Sequence, residues 1–130
     1  MSISYKNDYI KYRIDRAFET LNDAKVLIKS KSWNSCINRL YYASYYAVSA
    51  LLLQQNIKTE THRTVKSQFS LHFIKTGIVS KEYGQLFSDL ADWRHKGDYG
   101  DLYNFDEQTV APLIKPVEEF IKLIQKLIIE

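Results

Sequence analysis

Apolar side chains recur along this chain at steps of three and four, and no segment alternates convincingly with period two. Between Asp8 and Lys29, the positions Ile10, Ile14, Ala17 with Phe18, Leu21, Ala24 and Ile28 mark one stripe, which predicts a first helix. Ser30-Lys31-Ser32 is a short connector, with Ser32 placed to cap a second helix from Trp33 to Gln55. A third helix is predicted from Thr61 to Thr76, with Gly77 placed to end it in a left-handed conformation. The fourth spans Ser80 to Lys96 and is expected to stop at Gly97. The fifth starts on Asp106 as its cap and runs to the C-terminus through Leu113, Val117, Ile121, Ile124 and Ile128. Pro116 removes a backbone donor after its first turns, so a kink or an offset start is expected there. Short connections between long amphipathic helices make antiparallel neighbours. The expectation is an all-α, up-and-down four-to-five-helix bundle, with residues 1–130 forming a single helical domain.

The second helix departs from a simple one-faced pattern. Trp33, Ile37, Leu40, Ala47 and Leu51 form an apolar arc, which Tyr41, Tyr45, Val48 and Leu52 widen. Arg39, Tyr42 and Tyr46 then stack on the far side at steps of three and four. A helix that is apolar or aromatic nearly all round is buried on more than one side. This one is therefore expected to be the central helix, with the Arg39/Tyr42/Tyr46 stripe lining a cleft or a subunit interface.

Composition narrows the setting. A chain of 130 residues can bury a core without disulfide or metal staples, and its lone cysteine, Cys36, cannot form an internal disulfide. Cys36 falls in an apolar helix, where a small core role is expected. No run approaches the length of a membrane span, and the first residues lack the apolar segment of a secretion signal. A cytoplasmic location and no membrane association are the resulting expectations. The formal charge of +3 permits nucleic-acid binding without arguing for it. His62, His72 and His95 are too scattered for metal-ligand spacing, and no glycine-rich phosphate loop is present, so neither a metal nor a cofactor is expected.

The fourth helix carries the most suggestive chemistry. Tyr83, Leu86, Phe87, Leu90 and Trp93 share one arc, and Arg94 projects inside that arc. A guanidinium on an apolar face needs partners, because a desolvated charge is tolerated only when hydrogen-bonded. Asp98 and Asp101 follow closely enough to form an ion pair with it. His95 adjoins Arg94 but points about 100° away round the helix. His62, just after Thr61 at the start of the third helix, is expected either to help that start or to serve a site.

Three segments in order carry a resemblance: Arg39-Leu-Tyr-Tyr-Ala-Ser-Tyr-Tyr-Ala, then Thr61-His62, with Phe69 and Phe73-Ile-Lys-Thr-Gly77, then the run from Arg94 to Asp101, RHKGDYGD. From Trp33 onward the chain resembles the HEPN superfamily, and within it the small stand-alone bacterial and archaeal proteins. The resemblance implies a homodimer with a cleft between subunits. It also implies a metal-independent ribonuclease site, built on an arginine and a later histidine with four to six residues between them. Toxin activity is implied as well, paired with a nucleotidyltransferase antitoxin that modifies a tyrosine near the motif. Arg94 maps onto the motif arginine. The positions for the motif histidine hold Tyr99, Gly100 and Asp101, and the tyrosines near the motif are Tyr99 and Tyr103.

Metal-free RNA cleavage needs a base for the 2′-hydroxyl, an acid for the leaving oxygen and a cation for the phosphorane-like state. Arg94 suits the last role. A phenol such as Tyr99, with a pKa near 10, is a poor base at neutral pH, and Asp98 or His62 could substitute only where folding brings them alongside. The expectation is accordingly a non-catalytic nucleic-acid- or nucleotide-binding module, one half of a toxin–antitoxin-like pair with a nucleotidyltransferase. The alternative is a ribonuclease toxin acting in a dimer cleft. Arg94, Tyr99 and Asp98 are the candidate catalytic residues; Arg39, Tyr42, Tyr46, His62 and His95 are the candidate binding residues.

Overall fold

The computed structural model describes residues 3–100 and 104–129. Helix α1 covers Ile3–Lys29, α2 Trp33–Gln54, α3 His62–Phe69, α4 Lys81–Tyr99, α5 Glu107–Val110 and α6 Ile114–Ile129. The chain is an all-α bundle. Helices α1 and α2 form an antiparallel hairpin, held at its open end by the Lys6 ammonium, which donates to the Gln54 carbonyl at 3.0 Å, and at its closed end by Cys36. The Cys36 thiol is fully buried and points at the Ala24 carbonyl, 3.4 Å away. Helix α4 runs antiparallel to α2, bringing Asp98 to Asn38. Helix α6 returns parallel to α2, with the Gln54 amide donating to the Ile128 carbonyl. Lys25 of α1 pairs with Glu118 of α6 at 2.6 Å. The four long helices therefore alternate in direction.

Helix α2 is the central element. It buries Ile37, Leu40, Tyr41, Ala47, Val48, Leu51 and Leu52 against neighbours on several sides. Below its midpoint lies an aromatic core: Tyr41 stacks on Phe87 at 5.9 Å, and Phe87, Phe69 and Phe120 close a triangle at 5.8–6.3 Å between ring centres. Side chains of this size carry most of the apolar area that folding removes from water.

Several boundaries differ from the periodic reading, each for a local reason. Helix α1 begins at Ile3 rather than Asp8, and the third helix changes character, its α-helical part ending at Phe69 and a π-helical turn covering Ser70–Ile74. Gly77 closes that turn at φ +81°, as its sequence position implied. The same left-handed cap ends α1 at Lys31 (φ 60°) and α2 at Asn56 (φ 59°). Each is followed by the paired backbone bonds of a Schellman motif, Ser32 to Leu27 and Ile57 to Leu52. Ser32 does precede α2, but its side chain makes no cap bond and meets the Ser30 hydroxyl at 3.1 Å.

Gly97 does not stop the fourth helix, which runs on to Tyr99. A Cβ at Gly97 would lie 3.1 Å from the Phe105 ring, so the glycine lets the returning chain pack close rather than ending the helix. Asp106 caps α5 by accepting from the Thr109 amide at 2.9 Å. The predicted fifth helix is then interrupted by a 3₁₀ turn over Ala111–Leu113 before α6 begins. Pro112 and Pro116 withdraw two donors four residues apart, which accounts for the break. No helix among the described residues is long and apolar enough to cross a membrane.

Candidate functional site

Helices α2 and α4 and the start of α3 converge where Arg94 leaves the apolar arc of α4. Its side chain is only 15% exposed. The guanidinium carbon lies 5.0 Å from the Tyr41 ring centre and 5.7 Å from that of Tyr42. Cation–π contact of this kind compensates part of the cost of burying the charge. Asp98, one turn on and about 40° round the same helix, approaches Arg94 at 3.7 Å. The Arg94 Nε atom is buried and makes no hydrogen bond among the described residues. Asp101, the other carboxylate expected near it, and Tyr103 lie outside the described residues.

A polar relay extends from this pair across to α2. The Asn38 amide donates to Asp98 at 3.1 Å, and its oxygen accepts from Arg39 Nε at 2.9 Å. The Arg39 guanidinium sits 5.3 Å from the Tyr42 ring, so Tyr42 has two cations against its ring. Tyr46 continues the stripe, 6.3 Å from Tyr42, and carries Arg16 of α1 over its face at 5.3 Å. The outcome is a half-buried row of phenol rings flanked by guanidiniums, running along α2.

His62 enters from a different direction. Thr61 caps α3, its hydroxyl accepting from the Thr64 amide at 3.0 Å, which leaves the His62 side chain free of that task. The residues after α2 turn back along it, and the imidazole lands on Tyr45, stacked at 4.3 Å, with Nδ1 2.7 Å from the Tyr41 hydroxyl. Partial burial first, and the Arg94 charge second, hold the His62 pKa below its ordinary value of 6.5. Burial also pushes the Tyr41 phenol far above its usual range, with the nearby Arg94 charge pulling the other way. Tyr41 is thus a neutral hydroxyl at any physiological pH.

The remaining candidates sit elsewhere. Because α4 continues through Tyr99, that side chain lies about 140° round the helix from Arg94. It is 68% exposed and pairs with the ring of His95 at 5.0 Å. The fold therefore gathers Arg94, Asp98, Arg39, Tyr42, Tyr46 and His62 along one surface and turns His95 and Tyr99 off it. Tyr41 and Asn38 are the site residues that periodicity alone did not single out. The signal for Tyr41 was a phenol at a position where a phenylalanine would fill the core equally well. Groups of histidine, cysteine or carboxylate able to hold a metal ion are absent among the described residues.

A family model described as the HEPN domain matches residues 10–127. A protein of Thermotoga maritima named "UPF0332 protein" is 42% identical over 123 residues, covering 95% of this chain and 93% of the relative. In Methanocaldococcus jannaschii, a protein bearing the name "Putative toxin MJ0605" is 31% identical over 113 residues, 87% of this chain and 84% of its own length. A second protein of that organism, named in the same way, is 26% identical over 129 residues, 99% of this chain and 87% of its own length.

Proposed function

This chain belongs to the HEPN domain family, and we propose that it serves there as a toxin-like module that binds single-stranded RNA along the surface from Arg94 to Tyr46. The observation that carries the reading is the Arg94 guanidinium, mostly buried yet short of a full set of partners and flanked by tyrosine rings. A phosphate oxygen that meets the exposed 15% of this side chain adds a charge-assisted bond to the guanidinium. Successive bases stack on phenol rings such as Tyr42 and Tyr46, and Arg39 and Arg16 accompany the strand. Such binding reads stacking and backbone charge rather than sequence.

Two finer features belong to the same proposal. The chain acts as a homodimer, in which the half-buried tyrosine stripe of one copy faces its counterpart across a cleft. It works with a nucleotidyltransferase partner that restrains it, a role in keeping with the toxin names of two relatives.

Fluorescence anisotropy with a labelled single-stranded RNA tests the binding. Arg94→Ala and Arg39→Ala are each expected to weaken it by roughly tenfold or more, the loss of a charged hydrogen bond. Equal affinity of both variants and the parent would remove the assignment. Competition by a free nucleotide at comparable concentration would shift the ligand class from strand to mononucleotide.

A further inference from the structure

Helix α4 carries a second surface, turned away from the arginine row. Glu82, Leu86, Asp89 and Trp93 follow one another at steps of four, three and four, so they line one face of the helix. That face lies about 100° round α4 from Arg94. Opposite it, Leu113 and Pro116, from the 3₁₀ turn and the first turn of α6, wall a cavity of about 400 Å³. Tyr83 also lines this cavity and is stacked on Phe120 of α6 at 5.1 Å. Leu86, Trp93 and Leu113 pack against the core yet are only partly buried, so apolar edges stay in contact with water. The rim is acidic. Among the described residues neither Glu82 nor Asp89 pairs with a cation, the neighbouring Lys81 and Lys115 included. Asp89 accepts from the Gln85 amide at 2.8 Å, and the exposed Asp92 adds a further negative charge one turn on. On a chain of net charge +3, this patch has the opposite sign to the whole.

We propose that this groove is the docking site for a short cationic, amphipathic helix of a partner protein, a role independent of the RNA-binding reading above. Charge selects the class of partner. Nucleic acid would bring its phosphates against the rim carboxylates, whereas lysine or arginine side chains gain from the same two groups. The apolar floor asks in turn for apolar side chains to cover it.

Shape selects a helix over an extended strand. On one side of the groove the main chain is that of α4, whose amides and carbonyls are already bonded within the helix. On the other, Pro116 has no N–H to offer. A strand laid between them would leave its backbone groups without a ladder to join, whereas a helix satisfies its own. From Glu82 to Trp93 the face extends about 16 Å, the length of three helical turns. Apolar side chains at three- and four-residue steps on the guest enter between Leu86, Trp93 and Leu113. Cationic side chains flanking them reach Glu82 and Asp89.

The test selects peptides from a random display library, long enough for four helical turns, against the full chain carrying Trp33→Phe. Trp93 is then the sole tryptophan and reports from the groove itself. Recovered peptides are expected to carry lysine or arginine beside apolar residues at three- and four-residue steps. Made synthetically, they are expected to shift the Trp93 emission on binding. Glu82→Gln combined with Asp89→Asn is expected to weaken them roughly three- to tenfold, the loss of two rim ion pairs. Trp93→Ala is expected to weaken them about thirtyfold or more, read by anisotropy of labelled peptide. The double neutralisation leaves the apolar floor intact, so it decides the matter even where Trp93→Ala costs stability. Affinity of the double variant for single-stranded RNA is expected to match the parent. Recovery of no peptide, or of acidic peptides, overturns the proposal, as does equal binding to parent and double variant. Self-association of the parent that Trp93→Ala abolishes gives the groove to a second copy and overturns it. Loss of RNA binding in the double variant gives the groove to RNA and overturns it equally.

Discussion

Arg94 and His62 share a pair of tyrosine rings, so each feels the charge of the other. Partial burial of the imidazole disfavours its charged form, and the nearby guanidinium repels that charge as well. The His62 resonances are therefore expected to titrate below 6.5 by NMR, and to move up toward that value in Arg94→Ala. Above 6.5 the group is neutral in both folded and unfolded chains and contributes no pH dependence. As pH falls below it, the unfolded chain takes up a proton that the folded chain resists, and stability declines. Tyr99 makes a contrasting case. Tyr99→His puts a histidine five residues after Arg94, yet the side chain there is exposed and about 140° away round α4. RNA affinity is expected to match the parent, as read by the same anisotropy measurement. Arg94 and Asp98 could be paired from sequence because one helix sets their spacing. The Tyr41–His62 bond could not, because it depends on how the chain folds back after α2, and no local pattern encodes that return.

Among the elements, the long helices were readable because each needs only a stripe at three- and four-residue steps, and burial enforces that stripe. Their ends were less so. Gly77 announced its left-handed cap, whereas Lys31 and Asn56 adopt the same conformation without a glycine to mark it. Gly97 misled for the opposite reason: it is needed for the approach of Phe105, a contact with a residue beyond the helix. These two glycines can be told apart by substitution. A Cβ at Gly77 meets nothing within 4 Å, so Gly77→Ala is expected to cost only the strain of a left-handed alanine, about 1 kcal/mol in urea unfolding. The break between α5 and α6 shows a similar division. Pro116 foretold an irregularity, but its extent reflects Pro112 as well, and two missing donors produce a 3₁₀ turn instead of a kink.

At the scale of the whole molecule, a net charge of +3 on 130 residues is too small to hold RNA by its overall field. Affinity should come from a few placed cations and from stacking. With Arg94, Arg39 and Arg16 meeting phosphates, the logarithm of the binding constant is expected to fall with the logarithm of salt at a slope of about −2.1 for a single strand. A titration giving a slope several times steeper would point to a broader basic surface than the Arg94–Tyr46 row. The hairpin of α1 and α2 has a separate consequence through Cys36. Its thiol is sealed between the two helices, and burial raises its pKa to about 11, so it is almost entirely un-ionised at neutral pH. A sulfhydryl reagent can react only with molecules in which that hairpin has come apart. Because the chain has one cysteine, the mass gained per molecule counts such events without any engineered probe. In native buffer the modification is expected to proceed at the pace of hairpin separation and to saturate with rising reagent. Thus a side chain with no part in the site becomes a clock for the opening of the scaffold that holds it.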